Sequence, residues 1–181
     1  MKTRESKILI QLLKNSKLSD REIAKKLKTS QSTITRTRHK LEKRFIQSYT
    51  IVPNLSELDI ELIAFTFGKC SASTPEWMKK VEDFISDQPN VVFAGFGEGM
   101  GKTGFVVSFH KDFSDYTEFM RKSRLACKDP GMTLESFIVS TDKLIRTLDM
   151  SKAVESLIEK EEKNNNKRKY SEYYKRKLMD S

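Results

Sequence analysis

The chain has 181 residues, 37% of them hydrophobic and 33% charged, with a formal net charge of +9. That length allows one or two small domains with modest cores. It holds no run of about 18 apolar residues that could cross a membrane. The charged opening MKTRESK lacks the apolar stretch of a secretory signal, so a cytoplasmic protein is expected. Cys70 and Cys127 stand far apart, with no Cys-x-x-Cys spacing and no histidines at ligand distance. Two free thiols in or near a core, no metal site and no resident cofactor are the expectation.

The charge is unevenly placed. Residues 1–50 carry 14 Lys and Arg against 4 Asp and Glu, whereas residues 59–150 carry 11 against 14. A basic head on a mildly acidic body suits a protein that meets a polyanion with its head alone.

In that head, ESKILIQLLKN places Ile8, Leu9, Leu12 and Leu13 on one helical stripe. A second helix starts at KLSDREIAKKLK, where Ser19 and Glu22 form a Ser-x-x-Glu capping box and Ile23, Ala24 and Leu27 supply the buried side. After the turn KTS, Ser30 is placed to cap a third helix, QSTITRTRHKLEKR, with Ile34, Leu41 and Phe45 on one face. Three short helices with a three-residue turn between the last two predict a helix-turn-helix. The small Ala24 suits a steep helix crossing. FIQSYTIVP alternates as a strand pair would, making a winged version. With Ile34 inward, a rotation of about 100° per residue points Ser32, Arg36, His39 and Lys43 outward, flanked by Gln31, Thr35 and Lys40. Hydroxyls, an amide and an arginine near a helix N-terminus suit base edges in a major groove, and the lysines suit phosphates.

The stretch from Lys7 to Val52 resembles the N-terminal domain of the leucine-responsive regulatory protein/asparagine-operon regulator (Lrp/AsnC) family of bacteria and archaea. The matching pieces are Ile23-Ala24, Leu27, Ser30, Thr33-Ile34, Arg36, Leu41-Glu42, Ile46 and Tyr49-Thr50. With Thr33 added, the candidate DNA-contact set is Gln31, Ser32, Thr33, Thr35, Arg36, His39, Lys40 and Lys43. Two departures stand out. Lys28-Thr29 replaces the family's Gly-Leu or Gly-Ile turn, and Arg38 replaces an aliphatic residue. Arg38 is near the inward face, so its stem is expected to cover the core while its head reaches outward to water.

After PNLSELD, the order is strand (IELIAFTFGK), helix (TPEWMKKVEDFISD, with Trp77, Val81, Phe84 and Ile85 apolar), two strands (NVVFAGFG and GFVVSFH), helix (DFSDYTEFMRKSRLAC, with Phe113, Tyr116, Phe119 and Met120) and strand (MTLESFIVST). This βαββαβ order predicts a ferredoxin-like, ACT-like unit. The family resemblance extends across it and implies a domain for assembly and small-molecule sensing. The fold class is therefore α+β: a winged helix-turn-helix over 1–52, a linker over 53–59, the ferredoxin-like domain over 60–149 and a helical basic extension over 150–181.

The most conspicuous motif is GFGEGMGKTGF, residues 95–105. A P-loop would require glycine at position 96, where Phe96 stands, and both nucleotide motifs need a helix directly after the loop. The strand FVVSF occupies that place, so a hairpin is expected. Gly97, Gly99, Gly101 and Lys102 remain candidates for lining an effector or anion site. The acidic and aromatic groups that the family's amino-acid sensors carry on this hairpin are absent.

The strands do not alternate cleanly: Ile63, Phe65 and Phe67 lie against Ile60, Leu62 and Ala64 in the first, and Phe105, Val107 and Phe109 against Val106 and Ser108 in the third. Two helices cover one face, so a second copy of the chain is expected on the other. A monomer covering that face with its own C-terminal helix is the rival. In the tail, Val154, Leu157 and Ile158 mark a helix, and Tyr170, Tyr173, Tyr174 and Lys177 follow helical spacing in a basic segment suited to a second DNA clamp, a protein-docking helix or a solvated tail.

Together these features predict a sequence-specific, double-stranded DNA-binding transcriptional regulator, dimeric or larger, without catalytic residues. The alternatives are an architectural DNA coater and a tetrapyrrole decarboxylase-like enzyme on the same fold. The enzyme would need titratable groups gathered in the αβ domain, where His110 stands alone on a strand.

Overall fold

The computed structural model describes residues 3–70, 74–127, 131–161 and 163–164. The chain divides into two compact units. One joins the residues up to Val52 with those from Arg146 onward, and the other is Pro53–Ile145.

The first unit contains α1 (Thr3–Lys14), α2 (Asp20–Leu27) and α3 (Gln31–Arg44). Their stripes converge on one core in which Ile8, Ile23, Ile34 and Leu41 are essentially sealed from solvent, with Leu12, Leu18 and Ala24 beside them. The capping box at the start of α2 is formed. The Ser19 hydroxyl accepts from the Glu22 N–H, and the Glu22 carboxylate accepts the Ser19 N–H at 2.7 Å. The helix ends on Lys28 in the left-handed region (φ 50°, ψ 52°), a conformation that favours glycine and that costs a side-chain-bearing residue roughly 1–2 kcal/mol. The tight turn after it brings the Thr29 N–H onto the Ala24 carbonyl at 3.0 Å.

Two expectations for this unit are corrected. Phe45 does not share the buried face with Ile34 and Leu41. It is 47% exposed, and Ile46 packs on the core in its place. The strand pair expected over 45–53 does not form either, since residues 46–54 carry no strand assignment. The stretch Phe45–Val52 holds no Gly, Asn or Asp for a tight hairpin turn. Residues 151–161 are helical, their start capped by Asp149, whose carboxylate accepts the Ser151 N–H at 2.9 Å. Lys14 at the end of α1 pairs with Glu155 of this helix at 2.8 Å. Val154 and Ile158 are half-buried, while Leu157 is exposed. Tyr170, Tyr173, Tyr174 and Lys177 lie outside the described residues.

The second unit runs β1 (Leu62–Lys69), α4 (Pro75–Ser86), β2 (Val91–Gly99), β3 (Lys102–His110), α5 (Phe113–Ala126) and β4 (Thr133–Ser140). The sheet order is β2-β3-β1-β4 with every neighbouring pair antiparallel, the ferredoxin-like arrangement. Strand parity divides its faces. Ala64, Thr66, Val106, Ser108, His110, Leu134 and Ile138 look toward the helices, where Tyr116, Phe119 and Met120 of α5 complete the core. Phe113, expected in that packing, is 60% exposed, its ring against Tyr116 instead of the sheet. α4 buries no residue fully. The opposite face carries Ile63, Phe65, Phe67, Phe105, Val107, Phe109, Phe93 and Phe137. The last two are 65% and 67% exposed.

A polar network pins β3 to the start of α5. Ser108 donates to His110 Nε2 at 2.8 Å, and His110 Nδ1–H donates to the Asp115 carboxylate at 3.1 Å. The imidazole is 1% exposed and lies against the rings of Tyr116 and Phe119. Burial pushes its pKa below the ordinary histidine value, against the opposing pull of Asp115. A depressed folded-state pKa means that the unfolded chain binds the proton more readily. The neutral ring's contribution is therefore complete above about pH 6.5 and is lost as pH falls toward the depressed value. The expected outcome is a melting temperature of the αβ unit that drops between pH 7 and 5 more steeply in the native protein than in His110→Gln, as followed by calorimetry.

Candidate nucleic-acid interface

α3 is seated by its two sealed residues, Ile34 and Leu41, and started by Ser30, whose hydroxyl accepts the Thr33 N–H at 3.3 Å and pairs with the Thr33 hydroxyl at 2.8 Å. Its rotation is then fixed by polar contacts with α2 and the loop before it. Asp20, the first residue of α2, accepts from the Thr35 hydroxyl at 2.6 Å and from Arg38 Nη1 at 3.1 Å. The same Nη1 donates to the Leu18 carbonyl, while Arg38 Nε donates to the Tyr49 hydroxyl and to Glu42. Tyr49 in turn donates to Glu42 at 2.9 Å.

The expectation that the head of Arg38 would reach for water is thus corrected. Its side chain is 21% exposed, and its Nε and Nη1 groups donate to protein acceptors. A guanidinium fits at the edge of this core because its fork of N–H groups meets four acceptors there.

With that posture set, Gln31, Ser32, Thr35, Arg36, His39, Lys40 and Lys43 are all exposed, on the side away from Ile34 and Leu41. Thr33 is half-buried with its hydroxyl held at the cap, and the Thr35 hydroxyl is held by Asp20. Among the described residues Arg36, Lys40 and Lys43 make no ion pair, and His39 lies 3.9 Å from the Glu42 carboxylate. Asp20 and Tyr49 are functional neighbours that periodicity alone does not reveal. The available signal is an acid directly after the N-cap, placed one helix crossing from a basic residue on the inward side of α3.

The glycine-rich segment is a β-hairpin. β2 and β3 are joined by a two-residue turn, Met100 (φ 53°) and Gly101 (φ 69°), with Gly99 facing Lys102. Positive φ at both central positions is the mirror-image turn that matches strand twist. The loop leads into β3 and not into a helix. A side chain added at Gly97, Gly99 or Gly101 would meet nothing within 4 Å, and the Lys102 ammonium is paired with Glu135. These four residues are thus brought together at one hairpin tip, with the single cation among them already neutralised.

His110, expected to stand alone, has Ser108 and Asp115 as partners in a serine–histidine–carboxylate relay. Ser108 is 0% exposed, so the relay has no room for a substrate. Cys70 and Cys127 are buried and form no disulfide with each other, and burial pushes the Cys127 thiol up. No grouping of three or more potential metal ligands occurs among the described residues, nor any helix long and apolar enough to cross a membrane.

Residues 1–44 match a winged helix-turn-helix DNA-binding family. Among solved structures, an AsnC family transcriptional regulator from Agrobacterium tumefaciens superposes with a TM-score of 0.71 at 19% identity, over 81% of this chain and 94% of that one. The fold is that of the AsnC/Lrp-type transcriptional regulators. AsnC of E. coli (TM-score 0.67, 16% identity, 82% and 98% covered) and LrpC of B. subtilis (0.66, 19%, 82% and 97%) share it. No curated protein matches the chain at a significant level. The AsnC/Lrp-type architecture accounts for both units, from the helix-turn-helix to the four-stranded sheet.

Replacing Arg38 with Met is expected to destabilise the helix-turn-helix unit by about 2 kcal/mol in urea denaturation, because Asp20 loses a charged hydrogen-bond partner. Arg36→Met is expected to stay within about 0.5 kcal/mol.

Proposed function

We propose that this chain is a sequence-specific, double-stranded DNA-binding transcriptional regulator of the AsnC/Lrp type that acts as a dimer. The observation carrying the reading is the outward side of α3, where Arg36, Lys40 and Lys43 stand exposed and unpaired among the described residues beside Gln31, Ser32 and His39. In this reading Arg36, Gln31 and Ser32 read base edges, Lys40 and Lys43 hold phosphates, and Thr33 and Thr35 shape the helix start that enters the groove. His39, on the same side, contacts either. The acidic αβ unit takes no part in DNA contact.

Dimerisation rests on the open sheet face. Phe93, Phe105 and Phe137 form part of an apolar surface that two helices on the other side cannot cover. A second copy laid on it by two-fold symmetry would bury it and pair two reading heads, so that the operator has two half-sites. An effector at the hairpin tip, on Gly97, Gly99, Gly101 and Lys102, would have to displace Glu135 from Lys102 before an anion could bind there.

Arg36→Glu with Lys40→Glu should abolish the gel shift of duplex DNA while helicity and melting temperature stay unchanged. Selection from a mixed pool of fragments should enrich a small set of sites, whereas enrichment of none would favour an architectural coater. The native affinity should fall with log salt at a slope of about −0.9 per phosphate neutralised. Phe137→Asp should shift the protein from dimer to monomer in sedimentation equilibrium; retention of the dimer would move the interface elsewhere.

A further inference from the structure

The N-terminal half of α3 carries three threonines, and the hydroxyl of each is engaged. The Thr33 hydroxyl is paired with that of Ser30 at 2.8 Å, and the Thr37 hydroxyl donates to the Thr33 carbonyl at 2.8 Å. Both residues are half-buried. Thr35 differs in being exposed, next to Arg36. Its hydroxyl is nevertheless committed. It donates to the Asp20 carboxylate at 2.6 Å and lies 3.1 Å from the Gln31 carbonyl, one turn back along its own helix.

A hydroxyl has a single proton to give. Its bond to a carboxylate is charge-assisted, roughly twice as strong as a neutral one, and guanine, adenine and thymine offer only neutral acceptors in the major groove. Thr35 therefore does not donate to a base. The two acceptors together also select one of its staggered orientations. Threonine has two branches at Cβ. With the oxygen turned toward α2 and the preceding turn of α3, the branch without a partner is the methyl group, Cγ2. The counterpart of such a group among base edges is the C5-methyl of thymine.

We propose that Thr35 reads thymine: its methyl group packs on the C5-methyl of one thymine in the major groove, while Asp20 holds it in that posture by accepting the hydroxyl proton. Thr35 then determines specificity at one base pair of each half-site, and Asp20 positions it. The proposal rests on the reading of α3 as the DNA-contacting helix and adds what one position of the site must be.

The test uses the full chain and the sites it enriches from a synthetic DNA pool, in which thymine is the only base with a C5-methyl. Each thymine of an enriched site is replaced in turn by deoxyuridine, which lacks only that methyl, and affinity is read by fluorescence anisotropy at fixed salt. One position per half-site is expected to weaken binding about four-fold on replacement, the worth of burying one methyl-sized group. Thr35→Ser keeps the hydroxyl and removes the methyl. It should bind the thymine site about four-fold more weakly than the native chain and bind the thymine and deoxyuridine sites equally. Thr35→Ala, which also lacks the methyl, should lose the preference too and reads the same point should the serine variant fail to fold, with circular dichroism confirming each fold. Enrichment of no site would remove the reading of α3 and this proposal with it. An enriched site indifferent to deoxyuridine at every thymine, or a folded Thr35→Ser or Thr35→Ala chain that keeps the full preference, would overturn this proposal alone and leave DNA binding by α3 standing.

Discussion

The guanidinium of Arg38 holds the helix-turn-helix unit in one arrangement. It gathers the loop before α2 through Leu18, the first turn of α2 through Asp20, its own helix through Glu42 and the extended segment through Tyr49. Ile34 and Leu41 bury α3, but burial alone is indifferent to small rotations. The directional bonds at Arg38 and at Thr35 remove that freedom. The outward row of Arg36, His39, Lys40 and Lys43 is a consequence of what Arg38 does on the inward side. A half-buried charge would be a liability without its acceptors, and here each acceptor lies on a different segment, so the cost of desolvation is offset by cross-linking four pieces of chain.

The αβ unit is governed by a mismatch of area. α5 packs closely, with Tyr116, Phe119 and Met120 on β1 and β3, while α4 buries no residue fully. A cavity of about 300 Å³ lies between α4 and the sheet. The second face is aromatic from edge to edge, with Phe93 and Phe105 in edge contact at 5.4 Å between ring centres. It is on this face that the proposed dimer would close.

Much of this is legible in the residues. Periodicity locates all three helices of the head, Ser19 and Glu22 mark the start of α2, and the strand after GMGKTG is enough to rule out a phosphate loop. The features that stay hidden in the sequence have physical causes. Phe45 fits the inward period, yet the helix ends there and the chain turns, letting Ile46 take the seat. The alternation in FIQSYTIVP mimics a strand pair, but alternation says nothing about whether a turn can close it. The environment of Arg38 is hidden because two of its partners, Tyr49 and Leu18, are 11 and 20 positions away in the chain. His110 looks solitary because Asp115 lies on the next element.

Glu155, which grips Lys14, lies more than a hundred residues downstream of the unit it helps to complete. The αβ unit is in effect an insertion between the two parts of the head. During synthesis the first fifty residues leave the ribosome long before their last helix is made. The Lys14–Glu155 contact therefore waits until the chain has been made as far as Glu155.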